Sequence, residues 1–397
     1  MTKPSELQLD FEVLTPLFLG GAAQQPELRP PSFKGLLRFW YRAVDPRFAD
    51  RIEGTGLTRE ETYFGSSSEK GGQSPFLMRI EHQNPRTKKW SKPFAKQFER
   101  KVNEPGRKLP PRNGFVYLGF PFQMGRKPGE AEYLEPGTRF RVRCLFPKGR
   151  PDQSSRRALT ASWWSLAHVG GVGSRSRRAF GSLALRTWSI PQGERWPEFE
   201  SLHLLCDSKT PDQWKKRFNE SLDRLHSWFG RFGEKGARHP HLRNPRIVLF
   251  PEAWSANEWA AALDEAGIAL QAFRQLAEPD YSDVLEYLKT RRPLEHAPQR
   301  TAFGMPLTFR YRRAGRVDFV PVGPGKGQVS DRHPSLLFIR LVLVNNCLHP
   351  LFIRLNGAAP AFEPRAADRK ARKPLEEPEI NALEAFMDHL EEEVKRG

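Results

Sequence analysis

Cysteine is scarce: 397 residues contain three, Cys144, Cys206 and Cys347. No C-x-x-C or Cys/His cluster has zinc-ligand spacing, and an odd count gives no disulfide framework. Each cysteine therefore reads as a small buried hydrophobe of a reducing, cytoplasmic setting. Long apolar runs are also missing. The best stretch, Leu336 to Val344, is short and carries Arg340, far from the roughly 18 residues a membrane helix needs. The first residues lead into an alternating stretch instead of a signal-peptide core, so secretion and membrane insertion are excluded as expectations. No G-x-S-x-G, H-E-x-x-H or Gly-Lys-Ser/Thr motif occurs. The ten histidines are scattered, and no metal or cofactor is expected.

Acids are the other deficit. Lys and Arg number 64 against 46 Asp and Glu, for a formal charge of +18. Such a balance favours a polyanionic partner, most often nucleic acid. Hydrophobic residues at 38% and aromatics at 11% suffice for real cores, which argues against wholesale disorder. At roughly 100–200 residues per domain, the length suggests two domains.

In the first half, Leu7, Leu9, Phe11 and Val13 alternate as a half-buried strand should. Pro30-Pro31-Ser32 caps a helix over Phe33 to Val44. Strands are predicted at Phe76 to Ile80, Phe115 to Phe120 and Thr138 to Phe146. A helix follows at Ser154 to His168, then a strand at Ser182 to Trp188. With insertions set aside, the order is β-α-β-β-α-β, the ferredoxin-like or RRM-like arrangement. The fold class is thus α+β, with a first domain over residues 1–190. Asn84 to Arg112 holds ten Lys/Arg against two acids and reads as a long, mobile, basic insertion.

From residue 195 onward a second ferredoxin-like α+β domain is expected. Trp214 to Phe232 and Glu258 to Leu276 look helical. Ile247 to Phe250, Thr308 to Arg312, Val317 to Val320 and Leu336 to Val344 look like strands. Val322 to Gly327 is a connection between strands, and Pro360 to Pro374 a linker. An acidic amphipathic helix over 376–396 closes the sequence. Ile380, Leu383, Phe386, Met387, Leu390 and Val394 share one face of it and should dock, on this chain or on a partner.

Two segments carry candidate chemistry. Gly170 to Gly181, GGVGSRSRRAFG, has four glycines and three arginines between a helix and a strand. That order is wrong for a dinucleotide or P-loop fingerprint. Anion binding there would rest on Arg175, Arg177 and Arg178 plus amides exposed by Gly170, Gly171 and Gly173. In the Phe33–Val44 helix, Lys34, Arg38 and Arg42 line the side opposite Phe33, Leu37 and Trp40, a stripe able to track phosphates. Trp40 belongs to the core, whereas Tyr41 lies at the edge of the apolar face. His168, beside the glycine loop, is the one general-base candidate.

LTPLFLGGAAQQPELRPPSFKGLLRFWYRAV (Leu14 to Val44), the Phe64-Gly65 turn and GGVGSRSRRAFGS (Gly170 to Ser182) together resemble the RAMP superfamily of CRISPR-associated proteins. Within it they are most similar to the subunit-one family of type III-B (Cmr) effector complexes. Phe303 to Pro306 and Asp331 to Leu337 resemble later family blocks more weakly, and Ala179 departs from a position where the loop often has glycine. The resemblance implies two ferredoxin-like domains and a non-catalytic subunit beside other Cmr subunits near the crRNA 3′ end, touching crRNA and single-stranded target RNA. Carried onto this sequence, the RNA contacts are Arg29, Lys34, Arg38, Arg42, Gly170, Gly171, Gly173, Arg175, Arg177, Arg178 and Phe180. Arg29 and Phe180 enter only through the motif. The alternative is a metal-independent RAMP endoribonuclease that processes CRISPR repeat RNA, with His168 as its acid or base.

Overall fold

The structure, a computed structural model, describes residues 4–20, 26–67, 71–82, 85–102, 111–123, 131–190, 195–233, 239–276, 280–294, 296–322, 332–357, 362–366, 375 and 381–396. The first half runs β1 (Ser5–Val13), α1 (Pro30–Val44), α2 (Arg59–Phe64), β2 (Leu77–His82), β3 (Thr87–Lys89), α3 (Lys92–Lys96), α4 (Gly114–Leu118), α5 (Phe120–Gln123), β4 (Glu132–Leu134), β5 (Arg139–Phe146), α6 (Gln153–His168) and β6 (Leu183–Ser189). Four of its strands form an antiparallel sheet in the order β2-β5-β1-β6. Its inner face carries the alternation read from the sequence, with Leu7, Leu9, Phe11 and Val13 buried. Helices α1 and α6 cover that face. Phe11 stacks on Phe140 at 5.3 Å and meets Trp163 at 5.8 Å, and Phe33 joins them from α1.

Helix α1 starts at Pro30, earlier than expected, because both prolines sit inside its first turn. Their fixed φ suits the first helical positions, where a missing N–H costs nothing. Tyr41, expected at the edge of the apolar face, is fully buried, with its hydroxyl donating to Asp45 at 2.5 Å.

Phe115–Phe120 is helical, not a strand. Asn113 caps α4 by accepting the Val116 N–H at 2.8 Å, and the Asp264 carboxylate accepts the Phe115 N–H at 2.9 Å. A local cap and a distant acceptor thus override an alternating aromatic pattern. The basic insertion is also more ordered than its charge implied. Thr87–Lys89 pairs with β4, and Trp90 is buried with its ring stacked 4.8 Å from Phe115. Its aromatic and apolar residues anchor it, while Asn84 and residues 103–110 lie outside the described residues.

The second half runs α7 (Pro197–Glu200), α8 (Pro211–Phe229), β7 (His241–Leu249), α9 (Trp259–Leu276), α10 (Asp280–Thr290), β8 (Leu307–Tyr311), β9 (Gly315–Pro321), β10 (Leu337–Val344), β11 (Cys347–Asn356), β12 (Phe362–Ala366) and α11 (Asn381–Arg396). One antiparallel sheet has the order β10-β11-β7, and another the order β12-β9-β8. Within the expected linker, 362–366 is therefore a strand; residues 323–327, like 376–380, lie outside the described residues. Helix α8 packs on the first core, with Phe218 5.4 Å from Trp164.

Helix α11 docks on its own chain. Phe386, Met387 and Leu390 are fully buried, and Phe386 faces Phe273, Phe303 and Phe352. Its acidic side meets Arg246, which reaches Glu384 at 2.9 Å, Asp388 at 2.8 Å and Glu391 at 2.7 Å. Arg354 pairs with Glu384 as well. All three cysteines are free, but only Cys144 is fully buried. Cys206 lies in a short turn and Cys347 opens β11, so neither is enclosed on every side. Among the described residues, no helix is long and apolar enough to cross a membrane.

Candidate nucleic-acid interface

The basic stripe of α1 forms, but most of its charge is answered from within. Arg42 makes a bidentate pair with Glu60 of α2, at 2.5 and 2.7 Å. Arg38 donates to the Gly65 carbonyl and lies 3.5 Å from the same Glu60 carboxylate. Lys34 donates to Ser74 Oγ at 2.6 Å with its ammonium over the Phe76 ring, and burial holds its pKa below the usual lysine range. The helical spacing read from the sequence is correct, whereas an open stripe is not what results. Glu60 is one charge against two arginines, so a net positive edge remains. Arg29, just before α1, has a side chain 47% exposed and only a loose 3.9 Å contact to Glu27.

The glycine loop is packed between the two sheets. Ala179 donates its N–H to the Ile339 carbonyl at 2.8 Å, and Ile339 donates to the Arg177 carbonyl at 3.2 Å. The loop thereby adds to the edge of β10 through a parallel bridge. Its glycines admit the chain's own backbone. A Cβ on Gly181 would sit 1.8 Å from the Val172 oxygen, and one on Gly173 2.3 Å from that of Phe18, both at positive φ. Gly170 backs onto the Trp40 indole, and Gly171 is buried beside it. Ala179 itself holds φ at 66°, which explains why glycine suits that position.

The loop arginines point inward and donate to carbonyls. Arg175 Nε reaches Leu118 O at 2.8 Å. Arg177 Nη1 reaches Ser335 O at 2.5 Å, with its guanidinium 4.6 Å from the Phe338 ring centre. Arg178 is buried and donates to Phe303 O at 2.6 Å and Leu337 O at 3.2 Å. Burial pushes the Arg178 guanidinium down to about 9 and that of Arg177 to about 10, so both stay charged at neutral pH. Phe180 is fully buried among Phe18, Trp90, Phe115 and Phe122 and offers no free ring face here.

His168 is 4% exposed, packed at 5.3 Å against Trp164. Burial and the nearby Arg340 hold its pKa well below the usual histidine value. Its Nε2 is buried without a hydrogen-bond partner among the described residues, so the geometry does not favour a general-base role. The outer face of the first sheet is a ladder of opposite charges: Arg143 with Glu6 and Glu81, Arg141 with Asp10, and Arg139 and Arg186 with Glu12. RRM-type recognition stacks bases on sheet-face aromatics, and this face pairs charges instead.

Sequence reasoning missed Tyr117 and Arg274, which approach the glycine loop from the inserted helix α4 and from α9. Arg274 lies over the rings of Tyr117 (5.7 Å) and Phe303 (5.6 Å). No local pattern signals this, because the partners come from separate parts of the chain.

Residues 10–184 match the model of the RAMP superfamily. The CRISPR system Cmr subunits Cmr1-1 and Cmr1-2 of Pyrococcus furiosus are 28% and 27% identical to this chain over 201 and 202 residues. Those matches take in 50% and 46% of this chain, and 51% and 95% of the respective relatives. The chain thus spans about half the length of the first of them. A crystal structure of Cmr1 from Pyrococcus furiosus, in its apo form, superposes with a TM-score of 0.57 at 17% identity, covering 97% of this chain and 96% of that one. A chain from a type III-B Cmr-beta complex bound to cognate target RNA gives a TM-score of 0.54 at 13% identity, covering 99% and 100%. At those identities the likeness speaks for the fold alone. Residues 10–184 thus match the RAMP superfamily, and about half of the chain is similar in sequence to the Cmr subunits Cmr1-1 and Cmr1-2.

Proposed function

We propose that this chain is a non-catalytic, RNA-binding subunit of a type III-B (Cmr) effector complex, contacting crRNA and single-stranded target RNA near the crRNA 3′ end beside other Cmr subunits. The observation that carries the reading is the match of about half of the chain to two Cmr1 sequences, on a chain whose charge is +18. The strand order β2-β5-β1-β6 with two helices on one face supports a ferredoxin-like first unit over residues 1–190. In the second unit, from 195 on, the order β10-β11-β7 with α9 and α11 supports the same plan, short of a fourth strand among the described residues.

On this reading RNA approaches the edge formed by Arg29, Lys34, Arg38 and Arg42. The partly exposed rim of the loop, from Gly173 through Arg175 to Arg177, continues that edge. Gly170, Gly171, Arg178 and Phe180 hold the rim from behind. The test is one labelled CRISPR-type RNA mixed with purified protein in EDTA, read on native and denaturing gels. A shifted, intact RNA whose affinity falls steeply with salt is expected, since each neutralised phosphate steepens the dependence. A cut at one position, or no shift at low salt, overturns the reading.

A further inference from the structure

We infer that Arg175, Arg178 and Arg274, with the Tyr117 ring beside them, form a phosphate-binding pocket between the glycine loop and the C-terminal end of α9. The three guanidinium groups come from two distant parts of the chain, and two of them meet at Phe303. Arg178 donates to the Phe303 carbonyl at 2.6 Å, and Arg274 lies 5.6 Å above the Phe303 ring. Arg175 is tied by its Nε to Leu118 O, one residue beyond Tyr117, whose ring Arg274 also covers. Arg175, Arg178 and Arg274 act on one another as like charges.

None of the three has an ion-pair partner among the described residues. Asp280, nearby, spends its two oxygens on the backbone N–H groups of Gln299 (2.7 Å) and Arg300 (2.8 Å), with the Arg300 side chain 3.7 Å away. The Arg274 Nε is buried without a hydrogen-bond partner.

Three like charges in a half-buried site with no carboxylate of their own among the described residues destabilise the empty protein. Natural folds keep such a group where an anion completes it, and planar guanidinium forks match phosphate oxygens. Arg175, Arg274 and Tyr117 are each only partly buried, so the pocket has a side open to solvent. A Tyr ring beside the cations suits a phosphate that belongs to a nucleotide. The pocket stands independently of the function proposed above; the view that its phosphate belongs to RNA rests on that function.

The test uses the full chain. Thermal melts in chloride and in inorganic phosphate, at matched ionic strength and pH, are compared for wild type, Arg274→Gln and Arg274→Lys. Phosphate is expected to raise the wild-type melting temperature by about 2–4 °C. Arg274→Lys should keep part of that rise, and Arg274→Gln should lose it. In chloride, Arg274→Gln should melt no lower than wild type, because it removes repulsion; a purely structural arginine would give a lower value. No phosphate effect in wild type, or the same effect in Arg274→Gln, overturns the pocket. Binding of a labelled single-stranded RNA then identifies the source of the phosphate. A roughly fivefold loss in Arg274→Gln, with the salt slope reduced by about one, assigns it to RNA. Unchanged RNA affinity with the phosphate effect lost assigns it to a free phosphate compound. Failure of wild type to bind RNA, with the phosphate effect present, overturns the proposed function and leaves the pocket standing.

Discussion

Arg340 donates from Nη1 to the Gly170 carbonyl across 2.6 Å, and from Nη2 to the Leu183 carbonyl at the same distance. Strand β10 thus grips the glycine loop at both ends with one side chain, 2% exposed and pushed down to about 9 by burial. Together with the Ala179 to Ile339 hydrogen bond, this makes the loop a joint between the two sheets.

Arg340→Met tests the joint. It removes a buried charge, which is favourable, but leaves two buried carbonyls without donors, each worth roughly 1–3 kcal/mol. A net loss of about 2 kcal/mol is expected, with calorimetry resolving two transitions where wild type gives one. A single transition at the wild-type temperature would mean that the sheets are held by other contacts.

Glu60 restrains the charge of α1. Its side chain is 7% exposed and engages both Arg38 and Arg42. Glu60→Gln should lower stability by about 1–2 kcal/mol, discounted for the partial exposure of the arginines. It should also free positive charge on the edge proposed to meet RNA. RNA affinity is then expected to rise about threefold, with a steeper salt slope. Weaker binding by a folded Glu60→Gln protein would show that the pairs position the arginines for RNA instead of competing with it.

The parts legible in the sequence are those written in local periodicity. Leu7 to Val13 alternates, α1 carries its apolar residues at helical spacing, and both appear in the structure within a few residues of expectation. Strand Thr138 to Phe146 and helix Ser154 to His168 follow the same rule. The candidate site was legible as charge and illegible as pairing. Nothing near Arg42 in the sequence announces that Glu60 will take it, and nothing near Arg178 announces Phe303. The insertion misled because lysines outnumber its aromatics, although Trp90 and Phe115 decide where it packs.

The insertion reaches the second half through a contact of two glycines. A Cβ on Gly267 of α9 would lie 2.2 Å from the Gly114 oxygen, and one on Gly114 would lie 1.9 Å from the Asp264 oxygen. Backbone atoms form both obstacles, so neither can rotate away. Gly267→Ala should cost about 3 kcal/mol, at the upper end of overpacking effects. It should also free α4 and expose the basic segment around Arg100 and Arg112 to trypsin. Equal resistance of wild type and variant in limited proteolysis would place the anchor elsewhere, for instance in the Arg100 to Asp264 pair at 2.9 Å.

Acid should unfold this protein earlier than its ion pairs alone would suggest. His239, His241 and His333 are each held down to about 4 by burial, with neighbouring arginines adding to the effect. His239 Nε2 lies 2.9 Å from the Phe39 carbonyl of α1. In the unfolded chain each would titrate at about 6.5. Between those values the unfolded state binds more protons than the native one, so stability falls as pH falls. The contribution is complete above about pH 6.5 and is lost progressively toward pH 4. Melting temperatures should therefore be nearly flat above pH 7 and decline below 6.5. In His239→Gln the amide can still donate to Phe39, and the decline between pH 6.5 and 4 should be shallower than in wild type. An identical pH profile in the variant would assign the acid sensitivity to other groups instead, among them the Glu6 carboxylate, which its hydrogen bond with Arg143 holds below the usual range.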